Sequence, residues 1–187
     1  MEKIDRRTKY TLKIIKDSML KLMEKKEISK ITVTELCNLA DINRATFYKY
    51  YVDIYDLIEK IELELYNNIK KSIDLIKNDE SIKPFIDSMI KIIYENQNAC
   101  KVLFGPYGNK EFIKKIVYLG YIKSATEWKN KLTKFSTDQI DYIFNFFAFG
   151  SIGIIEKWID DKFKNSPEEI SKLINNLCDN LLSNKNH

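Results

Sequence analysis

Histidine is almost missing from this chain. One His stands among 187 residues, His187, the last of them, where fraying is expected. That excludes a histidine-based catalytic dyad and a His-rich metal site. Cysteine is scarce as well. Cys37, Cys100 and Cys178 are odd in number, far apart and lack a C-x-x-C spacing. They make neither a disulfide framework nor a zinc site and suit a reducing compartment. They read as small buried hydrophobes; a redox-sensing thiol would need a cationic cluster beside it, and none is written there. Five Gly and three Pro are too few for a sandwich or barrel, which needs a turn signal every few residues. Long hydrophobic runs are absent too. The most apolar stretch, Tyr142 to Ile155, is broken by Asn145 and Ser151 and is shorter than the roughly 20 residues that span a bilayer. No apolar segment follows the opening Met-Glu-Lys-Ile-Asp-Arg-Arg. A cytoplasmic protein with no secretory signal and no membrane partner is expected. Nor is there a nucleophile–base pair, a Gly-rich phosphate loop or a carboxylate cluster with metal spacing. The chain is therefore not expected to be an enzyme or to carry a cofactor or metal.

What is present is a helical pattern and an uneven charge. Hydrophobic side chains make up 44% and charged ones 31%, enough apolar mass for a real core and against disorder. Residues 1–50 carry 12 Lys and Arg against 7 Asp and Glu, a surplus of five, while the remainder carries 19 against 20. All three arginines (Arg6, Arg7, Arg44) lie in the basic block. Such a block fits an element that meets phosphate, and equally a solvated basic helix.

From Thr8 to Lys26, apolar residues at Leu12, Ile15, Met19, Leu22 and Met23 mark one face of a helix. Lys25 and Lys26 fall in its last turn, where cations suit the dipole. Thr32 and Glu35 form a capping-box signature opening a short helix over about 33–40, with Leu36, Leu39 and Ala40 on its apolar face. Asp41-Ile42-Asn43 breaks it, since Asp and Asn tolerate the left-handed backbone of a tight turn. Asn43 suits the N-cap of a second short helix, Arg44 to Tyr50. Asp53 caps a long helix from about Ile54 to Lys77. The polar Asn78-Asp79-Glu80-Ser81 marks the boundary to a second domain. Helical segments follow at Ile82 to Asn96 (Phe85, Met89, Ile92, Ile93), Lys110 to Lys131 and about Thr137 to Asp161, the last opened by a Ser136/Gln139 box. Gly105-Pro106-Tyr107-Gly108 is a loop. Ser166-Pro167-Glu168-Glu169 starts a final helix whose stripe is Ile170, Leu173, Ile174, Leu177, Cys178, Leu181 and Leu182.

Two short helices joined by a tight turn, residues 33–50, make a helix-turn-helix. In the second, Phe47 and Tyr51 lie four apart and pack inward with Ile42, Leu36 and Leu57. The other face presents Arg44, Ala45, Thr46, Tyr48, Lys49 and Tyr50. Arg bonds guanine bidentately, a Thr methyl meets a thymine methyl and Ala allows close approach. Tyr and Lys bond phosphates and set register. A tyrosine-rich packed helix is the plainer alternative.

Residues 4–61 resemble the DNA-binding domain of the TetR family. The match runs through Ile31-Thr-Val-Thr-Glu-Leu-Cys and Ala40-Asp-Ile-Asn-Arg-Ala-Thr-Phe-Tyr-Lys-Tyr-Tyr. The Asn-Arg-x-Thr-Phe-Tyr pattern, the run Phe146 to Ile159 and Ser166-Pro-Glu-Glu169 are most similar to the subgroup typified by dihydroxyacetone-kinase operon regulators. The resemblance implies an all-α fold: a three-helix DNA-binding domain over 1–61, its fourth helix running on to about 77, and a larger helical effector and dimerisation domain over 78–187. It implies a repressor bound as a homodimer to a pseudo-palindromic double-stranded operator, under control of a small-molecule or protein effector. The alternative is a helical protein-interaction module whose second domain binds a partner protein.

Carried onto this sequence, the family's DNA contacts fall on Thr32, Thr34, Asn43, Arg44, Ala45, Thr46, Tyr48, Lys49 and Tyr50. Three departures stand out: Ile54 occupies the position of a phosphate-binding Lys, Asp41 that of a turn Gly, and the glycine after the first helix is missing. An effector pocket is expected among Phe85, Met89, Phe104, Tyr107, Tyr121, Trp128 and Phe144, although aromatics at helical spacing also make ordinary core. The dimer interface is expected on the last two helices, at Phe146, Gly150, Ile154, Ile170, Leu173 and Leu177, with Gly150 and Gly153 allowing close approach.

Overall fold

The computed structural model describes residues 6–75 and 81–183. His187, the expected end of the fourth helix at Lys77 and the expected boundary at 78–80 lie outside the described residues. Those described form helices and turns, with no strand among them, as the expected all-α class requires. The helices are α1 (Arg6–Met23), α2 (Val33–Ala40), α3 (Arg44–Tyr48), α4 (Ile54–Leu75), α5 (Lys83–Glu95), α6 (Gln97–Leu103), α7 (Lys110–Lys131), α8 (Thr137–Asp160) and α9 (Pro167–Leu182). None is long and apolar enough to cross a membrane.

Local chemistry explains most of the boundaries. Ser136 and Ser166 each accept from the backbone N–H three residues on, and Gln139 and Glu169 return the bond, so α8 and α9 both start on complete capping boxes. α1 ends at Met23 rather than at Lys26. Lys26 is drawn away to the Glu35 carboxylate, at 2.6 and 2.8 Å. The Thr32 box is therefore only half made. Thr32 Oγ1 accepts from Glu35 N, but the Glu35 side chain takes the stronger charge-assisted partner instead of the cap. Leu39, expected on the inner face of α2, is 48% exposed; Cys37 is buried beside Leu36 and Ala40 instead.

Packing divides the described residues into two compact units, one running to Leu65 and including Asn98–Asn109, the other holding the rest. The expected split at 61 and 78 placed the whole of 98–109 in the second domain. Residues 98–109 join the first unit because Lys101 pairs with Glu24 at 3.0 Å, Asn109 donates to Glu62, and Cys100 and Leu103 are fully buried. Helix α6 was not anticipated, since no cap or long stripe announces it. Gly108 closes the following loop where a Cβ would lie 2.0 Å from the Leu103 carbonyl oxygen.

In the second unit, α5 packs on α9, and α8 packs on α7 and α9. Gly120 of α7 admits the Phe85 ring, to which a Cβ would come within 2.9 Å. The N-terminus of α5 has no side-chain cap of its own. Buried Glu127 supplies it, accepting from Ile82 N at 2.8 Å while Lys131 holds its other oxygen at 2.7 Å. Beyond α8, Lys162 and Phe163 both sit at positive φ, 56° and 57°, an uncommon pair for non-glycine residues. The return is aromatic: Phe163 meets Trp158 edge-on at 4.9 Å and Tyr94 at 6.0 Å. Trp158 Nε1 donates to the Asn165 carbonyl oxygen.

Lys162 is exposed and contributes no ring to this cluster, so its backbone strain is separable from the packing. Lys162→Gly should raise unfolding stability by about 1 kcal/mol. Phe163→Gly should lower it, because the edge contacts are lost with the strain. Urea denaturation at neutral pH measures both, and a loss of stability in Lys162→Gly contradicts the strain assignment.

Candidate nucleic-acid interface

The first unit holds α3 in place from beneath. Phe47 and Leu57 are fully buried, and Tyr51 is 4% exposed. The Phe47 ring lies 5.6 Å from that of Tyr51 and 5.5 Å, edge-on, from that of Tyr48. The turn that feeds α3 is made as its sequence predicts. Asp41 takes a left-handed conformation, φ 52° and ψ 48°, at the end of α2. Asn43 Oδ1 then accepts from Thr46 N at 2.7 Å and from Thr46 Oγ1 at 2.8 Å. Helix α3 is shorter than expected, five residues rather than seven, with Lys49 as its C-cap.

Four of the residues expected to meet DNA, Asn43, Arg44, Ala45 and Lys49, are exposed, and Tyr48 with them; Thr46 and Tyr50 are half-buried. Thr32 and Thr34 at the start of α2 are exposed as well. The structure thus brings the nine onto the helix-turn-helix, none of them buried. Arg44 Nη2 donates to Tyr48 Oη at 3.3 Å and stands 5.8 Å from the Tyr48 ring centre. The Tyr48 hydroxyl holds the guanidinium pKa above its ordinary value. Lys49 Nζ stands 5.6 Å from the Tyr50 ring centre.

Sequence reasoning missed the clamp behind this face. Lys60 Nζ donates to the Tyr50 carbonyl oxygen at 3.1 Å and to Asp56 Oδ2 at 2.8 Å, and stands 5.1 Å from the Tyr51 ring centre. It joins the end of α3 to α4. The signal was the i, i+4 spacing of Asp56 and Lys60. Asp56 is held below its ordinary pKa by the Lys60 ammonium and by the Val52 N–H. Its contribution is present at neutral pH and is lost as the pH falls through that lowered value. Burial, with Glu64 and Asp56 nearby, pushes the Tyr51 hydroxyl up to about 12, so it stays neutral. Ile54, in the place of the family's phosphate-binding Lys, is buried at 5%, while Val52 and Tyr55 are exposed beside it.

Residues 80–180, just over half of the chain, match the family model TetR_C_8, described as "Transcriptional regulator C-terminal region". This chain belongs to the TetR family of transcriptional regulators. It is 19% identical over 166 residues to the HTH-type transcriptional regulator YxbF of Bacillus subtilis (strain 168), covering 86% of this chain. The chain spans only 42% of that relative's length. Among solved structures it resembles the "Dihydroxyacetone kinase operon activator DhaS", with TM-score 0.58 and 22% identity over 92% of this chain and 94% of that one. It also resembles a TetR-family regulator from Syntrophomonas wolfei, with TM-score 0.66 and 18% identity over 97% and 98%. At these identities the structural likeness speaks for the fold.

In this TetR-family chain the expected pocket residues are divided between the two units. Phe104 and Tyr107 fall in the first unit, Phe104 buried and Tyr107 exposed. Phe85, Met89, Trp128 and Phe144 are buried in the second unit, where Trp128 meets Phe144 and Phe147 at 5.3 and 5.5 Å. The one unusual feature among them is the buried Trp128 Nε1–H, which meets no acceptor among the described residues. A groove of about 460 Å³ runs between α7 and α8, lined by Tyr118, Tyr121, Asp141, Phe144 and Phe149 among others.

The last two helices carry exposed apolar stripes. On α8, Tyr142 and Phe146 are each 77% exposed and Phe149 50%. A Cβ on Gly150 or Gly153 would meet nothing within 4 Å. On α9, Leu173 and Leu177 are exposed, and Ile154 of α8 is half-buried. Ile170 departs from expectation. It is 7% exposed, because Ile170, Ile174, Cys178 and Leu182 form the inner stripe of α9, which packs within the unit.

The αL residue of the turn gives a direct check. Asp41→Val, β-branched at positive φ, should lose about 1–2 kcal/mol of stability, whereas Asp41→Gly should lose none. Thermal unfolding followed by circular dichroism compares the two, and equal losses contradict the assigned turn.

Proposed function

We propose that the chain is a dimeric regulator that binds a pseudo-palindromic double-stranded DNA operator with the exposed face of α3, represses transcription from it, and releases it when an effector occupies the second unit. The observation that carries this reading is the face of Arg44, Ala45, Thr46, Tyr48 and Lys49 held outward by buried Phe47 and Tyr51, on a chain of the TetR family. Thr32, Thr34, Asn43 and Tyr50 complete the contact set. Recognition helices of this kind enter the major groove by their N-terminal residues, which here are Asn43 to Thr46.

One short helix binds weakly, so two copies are needed. Tyr142, Phe146, Phe149, Gly150, Ile154, Leu173 and Leu177 supply the face for the second copy. Their exposure supports this, since a large apolar patch on a soluble domain marks an interaction site. The glycines leave room for close helix approach.

The effector acts by population shift: it binds one spacing of the paired recognition helices better than the other, and DNA prefers the alternative. Helix α4 is continuous from the helix-turn-helix into the second unit and is the element through which that difference passes. A ligand with an acceptor oxygen at Trp128 Nε1 would satisfy a donor that is otherwise unpaired. The likeness to an operon activator, together with the Asn-Arg-x-Thr-Phe-Tyr pattern, supports the dihydroxyacetone-kinase operon subgroup, where a protein effector takes the place of a small one. The interaction-module alternative gains no support from family membership.

Three measurements test the reading. The purified chain should retain a duplex selected from random sequence, with affinity falling steeply as salt rises, and Lys49→Glu should weaken all duplexes alike. Transcription from a promoter carrying the selected site should fall when the protein is added; a rise makes it an activator. Phe146→Lys with Leu177→Lys should convert the dimer to a monomer by light scattering and reduce operator affinity at least tenfold. A dimer that survives both charges contradicts the assigned face.

A further inference from the structure

We infer that the α3 face reads only acceptor edges and methyl groups, so that each half-site is recognised through guanine at Arg44 and thymine at Thr46. This deepens the DNA-binding reading above and rests on it.

The inference comes from which polar atoms are already engaged. Asn43 Oδ1, the amide oxygen nearest the tip of α3, accepts from both Thr46 N and Thr46 Oγ1. An Asn whose oxygen is so held cannot make the two-point contact with adenine that needs a free acceptor beside a free donor. The same bonds turn the Thr46 hydroxyl toward the cap and leave its methyl as the group on offer. Three carboxylates near the motif have partners of their own, while that of Asp41 lies in the turn before α3 and not on the helix. Glu35 is held by Lys26, Asp56 by Lys60 and Val52 N, and Asp53 Oδ1 accepts from Asp56 N.

What remains on α3 is of one kind. Arg44 has five N–H donors and no acceptor, and its bond to Tyr48 Oη lays the guanidinium along the face. The Tyr48 oxygen accepts from Arg44, which leaves its own hydrogen to donate. Lys49 is a donor, and Ala45 is a methyl. Guanine presents two acceptors in the major groove, O6 and N7, and thymine presents an acceptor and a methyl. On α3 itself the amino groups of adenine and cytosine meet no carboxylate and no unengaged amide oxygen.

The test uses the full chain and a duplex selected from random sequence by the wild-type protein. Single bases of a half-site are replaced in turn, and affinity is read by fluorescence anisotropy. Replacing one guanine by 7-deazaguanine should weaken binding about five- to tenfold, and Arg44→Ala should abolish that sensitivity. Replacing one thymine by deoxyuridine should weaken binding about fourfold, the worth of one buried methyl. Thr46→Val should keep that sensitivity, and Thr46→Ser should lose it. Replacing adenine by purine, which removes the amino group, should change nothing. A marked loss with purine overturns the inference and leaves DNA binding standing, as does thymine sensitivity that survives Thr46→Ser. Failure to select any duplex overturns the DNA-binding reading itself.

Discussion

Burial of Phe47 is the constraint on which the rest depends. Helix α3 has five residues, far below the length at which a helix holds itself together in water. It exists because one of its five side chains is sealed in the interior of the first unit and Tyr51 follows it in. Everything functional on α3 is a consequence of that anchoring. Once Phe47 points inward, helical geometry aims Arg44, Ala45, Tyr48 and Lys49 outward. The Asn43 cap at one end and the Lys60 clamp at the other fix the helix along its length.

The second unit solves a different problem with the same materials. Its helices α8 and α9 have more apolar surface than one chain can bury. Each splits its hydrophobic residues between an inner stripe (Phe144, Phe147, Ile155; Ile170, Ile174, Cys178) and an outer one (Tyr142, Phe146, Phe149; Leu173, Leu177). The inner stripes make the core and the outer ones stay exposed. A fold built this way is complete as a unit and leaves an apolar surface open, which suits the dimeric reader of a two-fold site proposed above.

Much of this was legible in the residues themselves. Capping pairs placed the starts of α8 and α9, because these signals are local. The Asp41 turn and the Asn43 cap were readable for the same reason. What failed was tertiary. Nothing local says that Glu35 will prefer Lys26 to its own cap, that Leu39 will face water, or that Asn98–Asn109 will pack with the first unit. Ile170 was assigned to the outer face because a stripe of i, i+3, i+4 spacing does not say how two neighbouring surfaces divide it. The aromatic set expected to line a pocket divides between the two units, which its spacing could not announce. Helical spacing marks burial, and burial alone does not distinguish a filled core from a lined cavity. The clamp through Lys60 was visible only as an i, i+4 pair, and its second bond, to the Tyr50 carbonyl, needs the fold.

Amide hydrogen exchange on the full chain, with and without a selected duplex, tests the central claim most directly. The account predicts new protection at the start of α2 and across Asn43–Tyr50, with the Phe47 amide already slow to exchange in the free protein. Protection that leaves 43–50 unchanged and appears elsewhere, or rapid exchange at Phe47 in the free chain, would contradict it.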